Sequence, residues 1–140
     1  MVEVEKHERI GPRIRVERAA QGRRIKEGRW LFAWRIENLG SEPLKILAGR
    51  LPHGKFRGEE REFNPAPEVL PHRSVELEFS VQCGEPAGTE VENAFLILRV
   101  LCLEESWWLF IRLRVIFNEG AEPKTVTELV TTKQIGFSGV

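Results

Sequence analysis

Between Leu51 and Arg73 the chain reads LPHGKFRGEEREFNPAPEVLPHR, and the triplet Leu-Pro-His occurs in it twice. His53 and His72 are two of the three histidines in the protein, with Glu59, Glu60 and Glu62 between them; the third, His7, sits in a charged N-terminus. A catalytic zinc takes three nitrogen or oxygen ligands and keeps one position open. Two histidines and one glutamate could therefore supply a metal site or an acid–base pair, if the intervening chain doubled back. The spacing argues otherwise. Neither histidine has a second ligand at the short separation that zinc motifs use, and each follows a proline. Proline cannot donate to a sheet ladder, so Pro52 and Pro71 mark a strand's end and a strand's start. The histidines beside them are expected as turn residues at the rim. A metal-binding or hydrolytic protein using His53, His72, Glu59, Glu60 and Glu62 is the alternative reading, and no cofactor is expected.

Nucleophilic chemistry finds less support still. None of the five serines lies in a Gly-x-Ser-x-Gly elbow. Cys83 and Cys102 have no neighbouring histidine. They end successive strands of opposite direction, so they are expected as buried free thiols too far apart to bridge. The chain contains no aspartate and no tyrosine. Schemes that need an Asp orienter or a Tyr acid are closed, although Glu could replace Asp. An enzyme is not the expected class.

The elements that must position these residues repeat with a period of two. In Val75–Cys83 every odd position is apolar and every even one polar, the pattern of a strand with one wet face. Trp30, Phe32, Trp34 and Ile36 share a face in the same way, opposite Arg35 and Glu37. The run AFLILRVLCLEESWWLFIRLRVIF reads as two strands broken at Glu104-Glu105-Ser106. Pairing Cys102 with Trp107 leaves the four-residue connection Leu103–Ser106 and avoids the positive φ angles of a two-residue turn. Leu96, Leu98, Val100, Cys102, Trp107, Leu109, Ile111, Leu113, Val115 and Phe117 then form one apolar face, and a one-residue slip would turn Arg99 inward. Weaker strands are expected around Ile14 and Val16, Leu44 to Ala48, and Val126 to Val130. Turn residues recur between them. The expected fold is an all-β, antiparallel β-sandwich of seven or eight strands forming a single domain over 1–140, a barrel being the less favoured closure. Residues 1–10 are allowed to be flexible, and 124–140 form a C-terminal strand or tail.

Asn38-Leu39-Gly40, then Pro43-Leu44, then Leu70-Pro71-His72-Arg73-Ser74 opening the strand Val75–Val81, resemble bacterial immunoglobulin-like β-sandwich domains over roughly residues 29 to 83. The Cys–Trp–Cys pattern of antibody domains is missing. The resemblance implies an immunoglobulin-like sandwich and an adhesive, accessory or assembly role, and it carries over no catalytic residue.

Three stretches remain as candidate contact surfaces. The second face of the long hairpin collects Phe95, Ile97, Leu101, Trp108 and Phe110 with Arg99, Arg112 and Arg114. That is too apolar for bare water and too charged for a core, and aromatics with arginine are typical of association hot spots. Such a face must meet a partner, be covered by the C-terminal tail, or serve as a stacking platform for sugars or bases. The segment HGKFRGEERE is expected as a surface loop, with Phe56 as anchor if it binds anything. Residues 9 to 29 carry eight basic side chains against Glu17 and Glu27. With no aromatic before Trp30, this reads as an edge strand guarded by charge, and nucleic acid is disfavoured. Formal net charge is zero, so no global field draws the protein to nucleic acid or anionic lipid. The N-terminus lacks a signal-peptide run, and no stretch approaches the roughly 18 apolar residues of a spanning helix. With two cysteines, the cytoplasm is the expected compartment. The expected function is a non-catalytic interaction or assembly module. It would act through the outer face of the 95–117 hairpin, with itself or another protein as partner and no membrane. A carbohydrate- or nucleic-acid-binding module is the further alternative.

Overall fold

The structure is a computed structural model that describes residues 11–119 and 122–135. The expectations placed on 1–10, His7 and Arg9 included, and on 136–140 lie outside the described residues. Ten strands follow one another: β1 (Ile14–Arg18), β2 (Arg23–Lys26), β3 (Arg29–Asn38), β4 (Leu44–His53), β5 (Phe56–Glu62), β6 (Glu68–Val69), β7 (Ser74–Gln82), β8 (Glu90–Cys102), β9 (Glu105–Ile116) and β10 (Lys124–Gln134). No helix occurs among the described residues. All pairings are antiparallel, in the order β1-β3-β7-β5-β4-β8-β9-β10, with β2 also on β3 and β6 also on β4. The sheet curls into a nearly closed barrel. One residue pair, Arg57↔Gln82, joins its two halves between β5 and β7.

The all-β, antiparallel expectation stands; the strand count rises from seven or eight to ten. The additions fall in stretches read as turns. All four residues of β2 are exposed, and in β5 only Phe56 and Gly58 are buried. β2 has no core face and β5 offers one apolar core residue, so neither carries an apolar alternation for periodicity to reveal. The supposed loop around Gly54 is a tight turn between two strands, where His53 pairs with Phe56. Phe56 is fully buried, stacked 5.8 Å from Phe32 and edge-on to Trp34 at 6.3 Å. It is a core residue, not the anchor of a binding loop.

The core is the inward row of each long strand. Phe32, Trp34 and Ile36 of β3 face Phe79, Leu77 and Val75 across the β3–β7 ladder. From the hairpin come Leu96, Leu98, Val100, Trp107, Leu109, Ile111, Leu113 and Val115, all buried. Each large aliphatic or aromatic side chain removed from water contributes roughly 1.5–3 kcal/mol. Gly49 lets the two halves approach. A Cβ there would stand 2.7 Å from the Phe79 ring and 2.9 Å from Leu98.

The hairpin register departs from expectation by two residues. Cys102 pairs with Glu105, and the connection is Leu103-Glu104, with φ of 53° and 65°. The chain accepts a left-handed two-residue turn, the type whose twist matches that of the flanking strands. An even slip leaves every side chain on its expected face, so the inward row survives the correction.

The first and last strands nearly meet. They are not laddered; a side-chain clasp bridges them. Arg18 points inward with its guanidinium 4.1 Å over the Phe32 ring and reaches the Glu122 carboxylate. It also donates to Pro123 O at 3.3 Å and Thr125 Oγ1 at 3.4 Å. Glu122 in turn accepts from the Gly22 amide at 2.8 Å, in the break between β1 and β2.

Candidate interaction surface

β8, β9 and β10 are long strands whose alternate residues point away from the core. Their registers align those residues into rows running across the sheet. Arg50, Ile97, Phe110 and Thr131 form one row; Ala48, Arg99, Trp108 and Lys133 a second; Phe95, Arg112 and Leu129 a third; Lys45, Leu101 and Ser106 a fourth. All eight residues singled out on the hairpin's second face, Arg114 included, therefore do share a surface. Ile97 is buried among its neighbours at 8% exposure, and the other seven are half-buried. The described part of the C-terminal segment, residues 122–135, does not lie over them. It joins β9 edge to edge as β10 and widens the face.

A bulge in β10 shapes the electrostatics. Thr127 pairs with Leu113 and Leu129 with Arg112, which leaves Glu128 as an extra residue. A bulge re-aims a side chain, and this one presents the Glu128 carboxylate to two guanidiniums. Arg114 Nε donates to Glu128 Oε2 at 3.1 Å, and Arg112 Nε lies 3.7 Å from Oε1. Arg114 Nη1 also reaches Glu90 at 3.4 Å. The Glu128 hydrogen bond raises the Arg114 pKa above its already high value. Two arginines expected at the centre of the surface are thus partly neutralised within the chain. Arg99 and Lys133, which flank Trp108, have no carboxylate partner among the described residues.

The outer face of β1, β3 and β7 has a different character. Its rows read Arg15–Glu37–Ser74, Glu17–Arg35–Glu76 and Ala33–Glu78. Charges of opposite sign stand side by side, with Arg15 Nη1 2.9 Å from Glu37 Oε1. This is an ordinary solvated sheet surface.

The alternative site is not brought together. β4 starts beside Val69, close to the β6–β7 connection that carries His72, and ends at His53. The two histidines are therefore separated by about the length of a ten-residue strand, about 30 Å. His53 Nδ1 accepts from the Lys55 amide at 3.0 Å and closes the β4–β5 turn. His72 takes φ 65°, and its amide donates to Asn38 O at 2.8 Å. Glu59, Glu60 and Glu62 are exposed on β5, with Glu59 paired to Arg57 at 3.1 Å. Among the described residues no group of three or more His, Cys, Asp or Glu side chains could hold a metal ion. Cys83 and Cys102 are both free, but only Cys83 is buried; Cys102 is half-buried at the hairpin turn. Burial pushes the Cys83 thiol up to about 11, slightly offset by the nearby Arg18 charge. Burial also raises Cys102, helped by Glu42 and Glu105. The described part of the basic run, residues 11 to 29, divides between ties such as Arg15–Glu37 and Arg18–Glu122 and the exposed strand β2.

Sequence reasoning missed Glu128 and Lys133 as members of the surface. The one signal was local: Leu129 and Val130 stand adjacent and break the alternation of that run, which is how a bulge reads in sequence. No protein-family model matches the chain, and no curated protein sequence matches it. No helix of the described residues is long and apolar enough to cross a membrane.

Proposed function

We propose that this protein is a non-catalytic association module and that the outer face of β8, β9 and β10 is its contact surface. The observation that carries this is the contrast between the two outward faces of one molecule. Around β3 the surface rows are matched charges. Around β9 they are Phe95, Ile97, Leu101, Trp108 and Phe110 set among arginines, with no described strand packed over them. Water gains nothing from such a face, whereas a partner surface gains its burial.

The fold we propose for the module is immunoglobulin-like. In support, β1-β3-β7 on one side and β5-β4-β8-β9 on the other follow the connectivity of that sandwich, with β10 added beyond its last strand. We assign it to the cytoplasm, where two unbridged thiols are stable.

A photo-crosslinking phenylalanine analogue at position 110 tests the surface against the same analogue at position 33 on the opposite face. Crosslinked species are expected from 110 and not from 33. Equal yields from the two positions, or none from 110, would remove the assignment.

A further inference from the structure

We propose that the partner is an acidic protein segment which seats an apolar side chain on Trp108 between carboxylates held by Arg99 and Lys133. This inference rests on the association reading above and specifies what the surface selects. Arg99 on β8, Trp108 on β9 and Lys133 on β10 are direct cross-strand neighbours. Neighbouring strands lie about 4.8 Å apart, so the backbones of the two cationic residues flank that of Trp108 at about 10 Å from each other.

The neighbouring arginines show what a settled charge looks like on this face. Arg112 and Arg114 share Glu128, and Arg114 also meets Glu90. Arg99 and Lys133 have no such partner among the described residues. A face that is half-buried and apolar between two unmatched cations is complementary to alternating acid and hydrophobe.

A second copy of this chain fits poorly. Apposing two such faces about a twofold axis through the Trp108 pair would gather four unmatched cations around two indoles. Glu128 is already engaged by its own arginines, and Glu62, the carboxylate in the Trp108 row, stands two strands beyond Arg99 on the side away from the indole. Like charges placed together across an interface cost affinity. A nucleic-acid strand would satisfy the cations and the rings, but it would leave Leu101 and the exposed Leu103 and Leu129 facing phosphate or sugar. Aliphatics in that number favour a protein.

Leu103 extends the same surface. It is 66% exposed, although it occupies the left-handed conformation that leucine disfavours. With Leu101, Lys45, Pro43 and the carboxylates of Glu68 and Glu104 it lines a hollow of about 280 Å³ beside the fourth row.

The test titrates the full-length protein, at low salt, with a soluble glutamate–tyrosine copolymer, its lysine–tyrosine counterpart and oligothymidine. Tryptophan emission and sedimentation are the readouts. The glutamate copolymer is expected to bind, to release as salt rises to about 0.5 M, and to lose about tenfold in affinity when Arg99→Glu and Lys133→Glu are combined. An unchanged thermal melt of that double variant excludes misfolding. The acidic-partner inference is overturned if oligothymidine binds more tightly, if the lysine copolymer binds as well, if the double variant binds unchanged, or if the wild-type protein is a dimer that Trp108→Glu dissociates. That last outcome leaves the association surface standing. If no probe binds and no dimer forms, the inference falls, and the crosslinking comparison separately decides the surface itself.

Discussion

Asn38 is the one buried polar residue among those described, and both its side-chain nitrogen and its side-chain oxygen are hydrogen-bonded. Nδ2 donates to Glu42 O at 2.8 Å and to Val69 O at 2.9 Å, while Oδ1 accepts from the Gly40 amide at 2.9 Å. Its backbone bonds Arg73 and His72, so one residue ties the β3–β4 corner to the β6–β7 connection. Asn38→Ala leaves these groups without partners. It should cost about 2–4 kcal/mol, read as a lower urea midpoint at unchanged slope. Cys83 gives a pH signature at the same scale. The unfolded thiol ionises around pH 9.0, whereas the folded one waits until about 11. Within that window the unfolded chain binds fewer protons, so stability falls as pH rises; below it the contribution is fully present. Melting temperatures between pH 8 and 11 should fall more steeply for the wild-type protein than for Cys83→Ala.

At the scale of the element, the β8–β9 hairpin shows how parity protects a sequence reading. The expected pairing missed the true register by two residues, yet each side chain kept its face because the strand period is also two. What composition could not suggest was a turn that places Leu103 and Glu104 at positive φ. Asn-Gly suits that geometry far better. Leu103→Asn with Glu104→Gly should therefore stabilise the fold by about 1–2 kcal/mol, measured as a higher urea midpoint. A loss of stability would show that the exposed leucine packs against something structural. The two Leu-Pro-His triplets make a related point. Leu51 is fully buried at the end of β4, whereas Leu70 is 49% exposed in the β6–β7 connection. Three identical residues take two roles because the neighbouring strands differ: β4 continues into β5 through a tight turn, and β6 ends after two residues.

For the whole molecule, the clasp between Arg18 and Glu122 decides how nearly the barrel closes. Both side chains are largely buried, at 13% and 24% exposure, and Arg18 Nε has no hydrogen-bond partner among the described residues. Glu122→Ala strands the guanidinium over Phe32 and should cost on the order of 2–3 kcal/mol, with faster amide exchange at Gly22. An unchanged midpoint and exchange rate would show that β1 and β10 are held by packing alone. Alternation by itself determined the all-β class, the inward rows of β3, β7, β8 and β9, and the eight residues of the outer hairpin face, because burial on one side of a strand is written locally in every second residue. The strands β2 and β5 escaped notice for the same reason, β2 having no buried row and β5 only Phe56 and Gly58. Only the tertiary structure decided that Lys124–Gln134 lies beside the hairpin instead of over it, that Phe56 is core, and that His53 and His72 stand at opposite ends. It alone set Glu128 between two arginines while giving Arg99 and Lys133, around Trp108, no carboxylate partner among the described residues. Those outcomes depend on which strands become neighbours and in what register, and pairing between distant segments is set by the global fit of the core and not by any local stretch of residues.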